Sequence, residues 1–181
     1  MTTTILLARH GETDWNLERR VQGHSDRPLN QTGRAQARAL ADQLDGEQLD
    51  AVYSSDLSRA RETALIVGER KRLPVTALPG LREKNFGSWE GSTDEEILLR
   101  FPHARRGEWG DGETSEELAR RVVEALALIA AAHPDGRVLV VSHGGPLRAV
   151  LRHSASDHAV SIGNCHIIRI AVENGSMRQV D

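Results

Sequence analysis

The sequence predicts an α/β fold with a mostly parallel sheet. Residues 4–8, 50–54 and 138–142 are short segments, rich in apolar and β-branched side chains, that are apolar on both faces. Strands with this pattern are typical of the buried centre of a parallel sheet. Segments with helical periodicity fill the intervals, so we expect helices to cover the sheet.

The helices are predicted from apolar periodicity and capping signals. Apolar residues recur at positions i, i+3, i+4 and i+7 within residues 37–44 and 60–67, which gives each helix one apolar stripe. A longer helix is predicted to begin at Thr114, whose spacing from Glu117 matches a capping box, and to end before Pro134.

The C-terminal part is predicted to hold one more helix and an edge hairpin. Pro146 suits the first turn of a helix that follows the strand at residues 138–142. Residues 166–172 and 177–180 flank Asn174-Gly175, a dipeptide that favours a tight hairpin turn. We therefore expect an antiparallel edge on the sheet.

We expect residues 1–181 to form a single domain, since a chain of 181 residues can bury one core without disulfides or metals. Residues 84–113 are irregular and rich in glycine and aromatic residues. A loop of this length in a compact domain is typical of a binding segment, so we interpret it as a substrate loop within the domain.

The composition excludes several classes of protein. A formal net charge of −3 gives no overall attraction to nucleic acid or to an anionic membrane surface, so neither is expected as a partner. No apolar segment is long enough to span a membrane, and the N-terminus lacks the pattern of an export signal, which favours a cytoplasmic location. The single cysteine, Cys165, excludes an internal disulfide and is interpreted as structural.

Three polar clusters follow the three predicted strands: Arg9-His10-Gly11, the run from Ser54 to Arg59, and His143-Gly144-Gly145. Ligands of open α/β sheets bind outside the carboxyl ends of the strands, so the clusters should converge at one edge. His10 could attack phosphorus as a neutral imidazole. His143 and the Gly144 N–H could then bind the phosphoryl oxygens. The other histidines lack this context and are predicted to have no role in the site.

Arginines supply the positive charge that a phosphate ligand needs. Arg59 and Arg61 lie on the first turn of a predicted helix, where backbone N–H groups and a guanidinium favour phosphate. Residues two apart face different ways on a helix, so only one of them should face the site. The chain contains none of the usual zinc, calcium, P-loop or dinucleotide motifs, and we expect no metal and no cofactor.

Four motifs span most of the chain from residue 5 to about residue 150. They are Arg9-His10-Gly11-Glu12-Thr13-Asp14-Trp15-Asn16, Ser54-Ser55-Asp56-Leu57-Ser58-Arg59-Ala60, Leu81-Arg82-Glu83-Lys84-Asn85-Phe86-Gly87-Ser88-Trp89-Glu90-Gly91 and Ser142-His143-Gly144-Gly145. In this order they resemble the motifs of the histidine phosphatases, a family that includes the cofactor-dependent phosphoglycerate mutases.

The resemblance implies a three-layer sandwich with a sheet of about six strands and helices on both faces. It implies that His10 is phosphorylated and that Glu83 serves as acid and then as base. The remaining residues implied to bind the phosphoryl group or the substrate are Arg9, Asn16, Gln22, Gly23, Arg59, His143 and Gly144.

Within this family, phosphatases transfer the phosphoryl group to water and mutases return it to the substrate. Only about fifty residues separate the Glu83 motif from Ser142-His143-Gly144-Gly145, which resembles the compact bacterial phosphatases that act on α-ribazole phosphate and other small phosphorylated metabolites. A mutase and a non-catalytic phospho-ligand binding protein are the alternatives. Arg105 and Arg106 are either carboxylate ligands or solvated loop residues. A monomer and a homodimer both stay open.

Overall fold

The computed structural model describes residues 1–102, 111–154 and 161–180. Its six strands form one sheet in the order β3-β2-β4-β1-β5-β6. The pairs β3-β2, β2-β4 and β4-β1 are parallel, whereas β5 pairs with β1 and β6 pairs with β5 in antiparallel fashion. The strands are β1 (Thr2–Arg9), β2 (Ala51–Ser54), β3 (Val75–Ala77), β4 (Arg137–Ser142), β5 (Ile167–Glu173) and β6 (Ser176–Val180).

The α-helices of the described residues are α1 (Asp14–Leu17), α2 (Gln31–Gln43), α3 (Ser58–Lys71), α4 (Asp94–Arg100), α5 (Ser115–Ala132) and α6 (Gly144–His153). Helices α5 and α6 cover one face of the sheet, and α2 and α3 cover the other. Alternate β1 side chains point to opposite faces, so Ile5 and Leu7 lie in the core under α5 and α6. Leu6 and Ala8 lie in the core under α2 and α3. The predicted three-layer α/β fold is confirmed.

The strand register brings the carboxyl ends of three strands together. Arg9 at the end of β1 pairs with Ser142 at the end of β4, and Ser54 at the end of β2 pairs with Val141. The ladder continues past the strands, since the His10 N–H donates to the Ser142 carbonyl at 3.0 Å. The residues that follow β1, β2 and β4 therefore share one edge, as the sequence predicts.

The predicted helices, capping box and hairpin are confirmed. Thr114 and Glu117 cap α5 reciprocally, and the chain turns between β5 and β6 at Asn174-Gly175. No described helix has the length and apolar character needed to cross a membrane.

The part of the 84–113 segment that the structure describes, residues 84–102 and 111–113, contains short helical elements that the sequence did not predict. A 3₁₀ turn occupies Gly87–Trp89, and α4 begins at Thr93 with a capping box closed by Glu96. Only Ile97 of α4 is buried, so its apolar stripe was too short to recognise. Strand β3 was also missed, because its three residues lie at the edge of the sheet and none is fully buried.

Candidate active site

The three strand ends bring Arg9, His10, Arg59 and His143 together, and we call these four residues the basic cluster. The rings of His10 and His143 meet edge to face with centroids 5.1 Å apart. His10 is 3% exposed, and Arg59 and His143 are fully buried. Arg59 and Arg9 both act electrostatically on His10. The cluster thus places two guanidinium groups beside two imidazoles, with Arg9 half-buried and the other three residues buried.

The hydrogen bonds of His10 determine which ring nitrogen is free. Its Nδ1 lies 2.6 Å from the Gly11 carbonyl, which can only accept, so Nδ1 carries the proton and Nε2 keeps its lone pair. Burial, assisted by Arg59 and Arg9, lowers the pKa of His10 well below its usual 6.5. His10 is therefore a neutral imidazole with Nε2 available as a nucleophile.

The backbone after His10 is held by close packing and by a buried hydroxyl. A Cβ on Gly11 would collide with the Gly33 carbonyl, so only glycine allows this approach. The Gly11 N–H donates to Thr63 Oγ1 at 3.1 Å, and this hydroxyl donates to the Arg59 carbonyl at 2.7 Å. Thr63 therefore links the nucleophile to the helix that carries Arg59.

The two arginines of the cluster are fixed by carbonyl groups and keep unused donors. Arg9 Nη1 donates to the Ile162 carbonyl at 2.7 Å, and Arg59 donates to the carbonyls of Gly23 and Ser25 at 2.8 and 3.1 Å. The Nε atoms of both arginines are buried without a partner among the described residues. Burial lowers the pKa of Arg59 to about 10, so Arg59 still carries its charge at neutral pH.

The sequence predicts that only one of Arg59 and Arg61 faces the site, and the structure shows that it is Arg59. Arg59 is fully buried in the basic cluster, whereas Arg61 is exposed on the outer side of α3.

His143 presents polar atoms that need a ligand. It precedes α6 and is fully buried, and neither of its ring nitrogens has a hydrogen-bond partner among the described residues. Burial, with Arg59 as the next cause, lowers its pKa well below 6.5. Gly144 follows as the first residue of α6, where backbone N–H groups lack helical acceptors. Buried donors without partners beside two arginines favour an anion.

Glu83 lies at the N-terminus of α6, the helix that His143 precedes. Its Oε1 accepts hydrogen bonds from the backbone N–H groups of Lys84 at 2.8 Å and Gly145 at 3.1 Å. Burial lowers the pKa values of Arg9 and Arg59, and the negative charge of Glu83 partly offsets this lowering. The structure thus brings a carboxylate to the edge of the basic cluster, where it can exchange a proton with a group bound there.

Three residues that the resemblance adds lie around the cluster rather than in it. Asn16 Oδ1 accepts from the Thr13 backbone N–H at 3.1 Å and from Asn164 Nδ2 at 3.4 Å, which leaves its Nδ2 as the donor for a ligand. Gln22 Oε1 accepts from Thr13 Oγ1 at 2.9 Å. The carbonyl of Gly23 accepts from Arg59.

Sequence reasoning missed several residues that contact the site. His24, predicted to have no role, lies with Nε2 2.9 Å from the Glu83 carbonyl. Arg121 donates to the same carbonyl at 2.7 Å, and Asn164 Nδ2 donates to the His10 carbonyl at 3.0 Å. Only Thr63 left a signal, because it interrupts the apolar stripe of its helix with a hydroxyl.

Other predicted features fall outside the site or outside the described residues. Burial raises the pKa of Cys165 to about 12, in keeping with its interpretation as a structural thiol. In the part of the chain that the structure describes, no group of three or more His, Cys, Asp or Glu side chains could hold a metal ion. Arg105 and Arg106, which the sequence left as carboxylate ligands or loop residues, lie outside the described residues, as do His103 and His158.

Comparison with known proteins identifies the family. The model of the histidine phosphatase superfamily (branch 1) matches residues 5–181. The chain belongs to the histidine phosphatase superfamily. The family resemblance stated from the four motifs is therefore confirmed.

Individual relatives of this histidine phosphatase agree. It is 39% identical over 149 residues to an uncharacterized phosphatase, PhoE, of Bacillus subtilis, over 82% of this chain and 76% of that protein. It is 40% identical over 177 residues to a metal-independent phosphoserine phosphatase of Arabidopsis thaliana, over 91% of this chain and 74% of that protein. The solved structure of Bacillus stearothermophilus YhfR matches with a TM-score of 0.90 and 33% identity, over 98% of this chain and 95% of that chain.

Proposed function

We propose that this histidine phosphatase is a metal-independent phosphomonoester hydrolase that acts on a small phosphorylated metabolite through a phosphohistidine on His10. The observation that carries the proposal is the buried, neutral His10, with a free Nε2, close to donors that have no partner within the described part of the chain. Those donors are the Nε groups of Arg9 and Arg59 and a ring nitrogen of His143. A phosphoryl group bound to them would lie beside the nucleophile, with its charge neutralised by the protein.

In the first step, Nε2 of His10 attacks phosphorus and the bond from phosphorus to the ester oxygen breaks. The negative charge on the phosphoryl oxygens is stabilised by Arg9, Arg59 and His143, and by the Gly144 N–H. Glu83 in its acid form protonates the departing ester oxygen. The products of this step are a free alcohol, the phosphohistidine and the Glu83 carboxylate.

In the second step, a water molecule enters the position that the alcohol has left. The Glu83 carboxylate takes a proton from this water as its oxygen attacks phosphorus. The bond between phosphorus and Nε2 breaks, and its electron pair returns to the imidazole. Inorganic phosphate leaves, and both His10 and Glu83 are restored to their starting forms.

Two observations support hydrolysis of a small phosphate ester. The Arabidopsis relative is a phosphoserine phosphatase described as metal-independent, and that name supports the same substrate class and chemistry here. The interval of about fifty residues between the Glu83 motif and His143 leaves little chain for an additional substrate-binding segment. Both favour transfer to water over transfer to a second substrate hydroxyl.

Release of phosphate from p-nitrophenyl phosphate in excess chelator tests the proposal. We expect wild type and His153→Ala to be active and His10→Ala to lose about 10⁴-fold or more. His153 is an exposed histidine near the end of α6 and serves as the matched control. In a single turnover, wild type should gain the mass of one phosphoryl group on His10.

Three outcomes would contradict parts of the proposal. Full activity of His10→Ala would rule out the nucleophile, and complete loss of wild-type activity with chelator would rule out metal independence. With a phosphorylated three-carbon acid as substrate, isomerised ester without free phosphate would identify a mutase instead.

A further inference from the structure

Glu90 lies outside the basic cluster, yet its carboxylate binds two separate segments of the chain. Its Oε1 accepts from the backbone N–H groups of His24 at 2.8 Å and Phe86 at 3.1 Å. Its Oε2 accepts from the Ser25 N–H at 2.8 Å and from Ser25 Oγ at 2.6 Å. Four donors on one half-buried carboxylate make it a fixed point between these segments, because hydrogen bonds to a charged acceptor are strong.

One of these segments also holds the arginine that would bind phosphate. The Gly23 carbonyl and the His24 N–H belong to the same peptide group. The carbonyl accepts from Arg59 Nη2 at 2.8 Å, while the N–H donates to Glu90 at 2.8 Å. A single peptide group therefore bridges the guanidinium and the carboxylate, and each hydrogen bond polarises the other.

The backbone at Gly23 is adapted to this bridge. Gly23 has φ of +53°, in the left-handed region that glycine adopts without strain. A Cβ at this position would collide with the carboxylate of Glu90. Glycine therefore allows the segment to contact Glu90 on one side and Arg59 on the other.

The same segment reaches the proposed acid. Nε2 of His24 lies 2.9 Å from the Glu83 carbonyl, which fixes Nε2 as the protonated ring nitrogen. Glu90 also accepts a hydrogen bond from the N–H of Phe86, which lies three residues after Glu83. Glu90 thus contacts both the loop that supports Arg59 and the loop that carries Glu83.

We propose that Glu90 is a positioning residue that couples the phosphate-binding arginine, Arg59, to the acid, Glu83. This inference rests on the proposed function. Glu90 does not touch the reacting atoms; it fixes the residue 22–25 segment, whose carbonyls orient Arg59 and whose histidine holds the Glu83 backbone. Loss of the carboxylate should therefore disturb phosphate binding and protonation of the leaving oxygen together.

Glu90→Gln tests the hydrogen bonds of the Glu90 carboxylate while the size of the side chain stays the same. An amide has almost the same shape, but its NH₂ must face two donors at one of the two oxygen positions, which breaks hydrogen bonds on that side. The matched control is Glu62→Gln on α3, the same helix as Arg59. Glu62 forms an exposed ion pair with Arg34 at 2.6 Å, and its loss removes the same charge.

Two quantities test the coupling, and neither depends on the fraction of the protein that is active. The dissociation constant of inorganic phosphate is measured by calorimetry, and the single-turnover rate of phosphohistidine formation from glycerol phosphate is divided by that from p-nitrophenyl phosphate. We expect Glu90→Gln to weaken phosphate binding about tenfold and to lower this rate ratio about tenfold, while Glu62→Gln stays within about twofold.

Ser25→Ala removes one of the four hydrogen bonds and keeps the test available if Glu90→Gln folds poorly. It should weaken phosphate binding about threefold. An unchanged phosphate affinity in a folded Glu90→Gln protein, or an unchanged ratio of the single-turnover rates, would overturn the coupling. Wild-type protein that binds phosphate without turnover would instead overturn the proposed function, because the affinity measurement needs no reaction.

Discussion

The basic cluster and the segment that carries Glu83 are fixed in different ways. His10 and His143 directly follow β1 and β4, two central strands joined by a parallel ladder from Thr4 to Arg9. The Glu83 segment, residues 79–91, contains only two short 3₁₀ turns. Arg121 on α5 fixes this segment by donating to its carbonyls at Gly80, Arg82 and Glu83, at 3.0, 2.7 and 2.7 Å.

This difference separates the two halves of the proposed reaction. In the half that binds and attacks the phosphoryl group, His10 and His143 are placed by the backbone ladder of β1 and β4, and only Arg59 depends on a segment that a side chain, Glu90, holds. The half that protonates the leaving oxygen rests on side chains that can be changed one at a time. Esters with good and poor leaving groups report on the two halves, because only a poor leaving group needs the acid.

The largest effect is expected from the cluster itself. Arg59→Ala should lower kcat/KM by about 10³-fold, or about 4 kcal/mol, for aryl and alkyl phosphates alike, because both develop the same charge on the phosphoryl oxygens. Arg61→Ala, an exposed arginine on the same helix, is the control and should stay within about threefold of wild type. A larger loss in Arg61→Ala than in Arg59→Ala would contradict the assignment of the cluster.

The next largest effect is expected from Glu83, and unlike that of Arg59 it should depend on the leaving group. Glu83→Gln should lower kcat for glycerol phosphate by about 10²-fold, or about 2.7 kcal/mol, because an amide cannot protonate the alkoxide. The loss on p-nitrophenyl phosphate should be smaller, since p-nitrophenolate leaves without a proton when phosphohistidine forms. Steady-state and single-turnover kinetics on both esters check this, and equal losses in the single turnover would exclude Glu83 as the acid.

The two regions also differ in how well the sequence predicts them. Arg9, His10, Arg59 and His143 were found because each directly follows, or nearly follows, a strand that is apolar on both faces. Parallel strands align their carboxyl ends, so local pattern and topology together imply that these residues meet. The helical spacing of Arg59 and Arg61 predicted that only one of them enters the site, and burial shows which.

No sequence pattern predicts the residues that hold Glu83 in place. Glu83 itself was assigned only through family resemblance. Arg121 contacts residues that lie 38 to 41 positions away, and Glu90 contacts Ser25 across 65 positions. Periodicity rules describe neighbours within a few turns, so they contain no information on such contacts. Thr93 and Glu96 have the spacing of a capping box, but the short helix that follows carries only one buried residue, too few to give an apolar stripe.

The two buried histidines predict how the stability of the fold depends on pH. Their pKa values lie well below 6.5 in the native state, so the unfolded state binds up to two more protons once the pH falls below about 6.5. The free energy of unfolding should thus fall with decreasing pH, by at most about 2.7 kcal/mol per pH unit, with no contribution from these residues above about pH 7.5.

Urea unfolding between pH 8 and pH 5 measures this slope. The carboxylates with lowered pKa values, among them Asp45 and Glu47, lose their stabilising effect only below their ordinary values of 3.8 and 4.5, so they lie outside this window. His143→Asn removes one of the two protons taken up on unfolding, so it should reduce the slope by up to about 1.4 kcal/mol per pH unit, whatever its effect on overall stability. An equal slope in the variant would show that His143 is not held neutral in the native state.

The smallest effect is expected from Arg121, which holds the Glu83 segment through its carbonyl groups. Arg121 pairs with Glu113 at 2.6 Å while its other nitrogens bind the three carbonyls, so Arg121→Gln removes five hydrogen bonds at once. The basic cluster keeps its own contacts, so phosphate affinity should change by less than about twofold while kcat for glycerol phosphate falls about tenfold, or about 1.4 kcal/mol. Arg120→Gln, its exposed neighbour, is the control. If Arg121→Gln weakened phosphate binding as much as catalysis, the two halves of the site would not be separable, and the cluster would depend on the Glu83 segment for its own geometry.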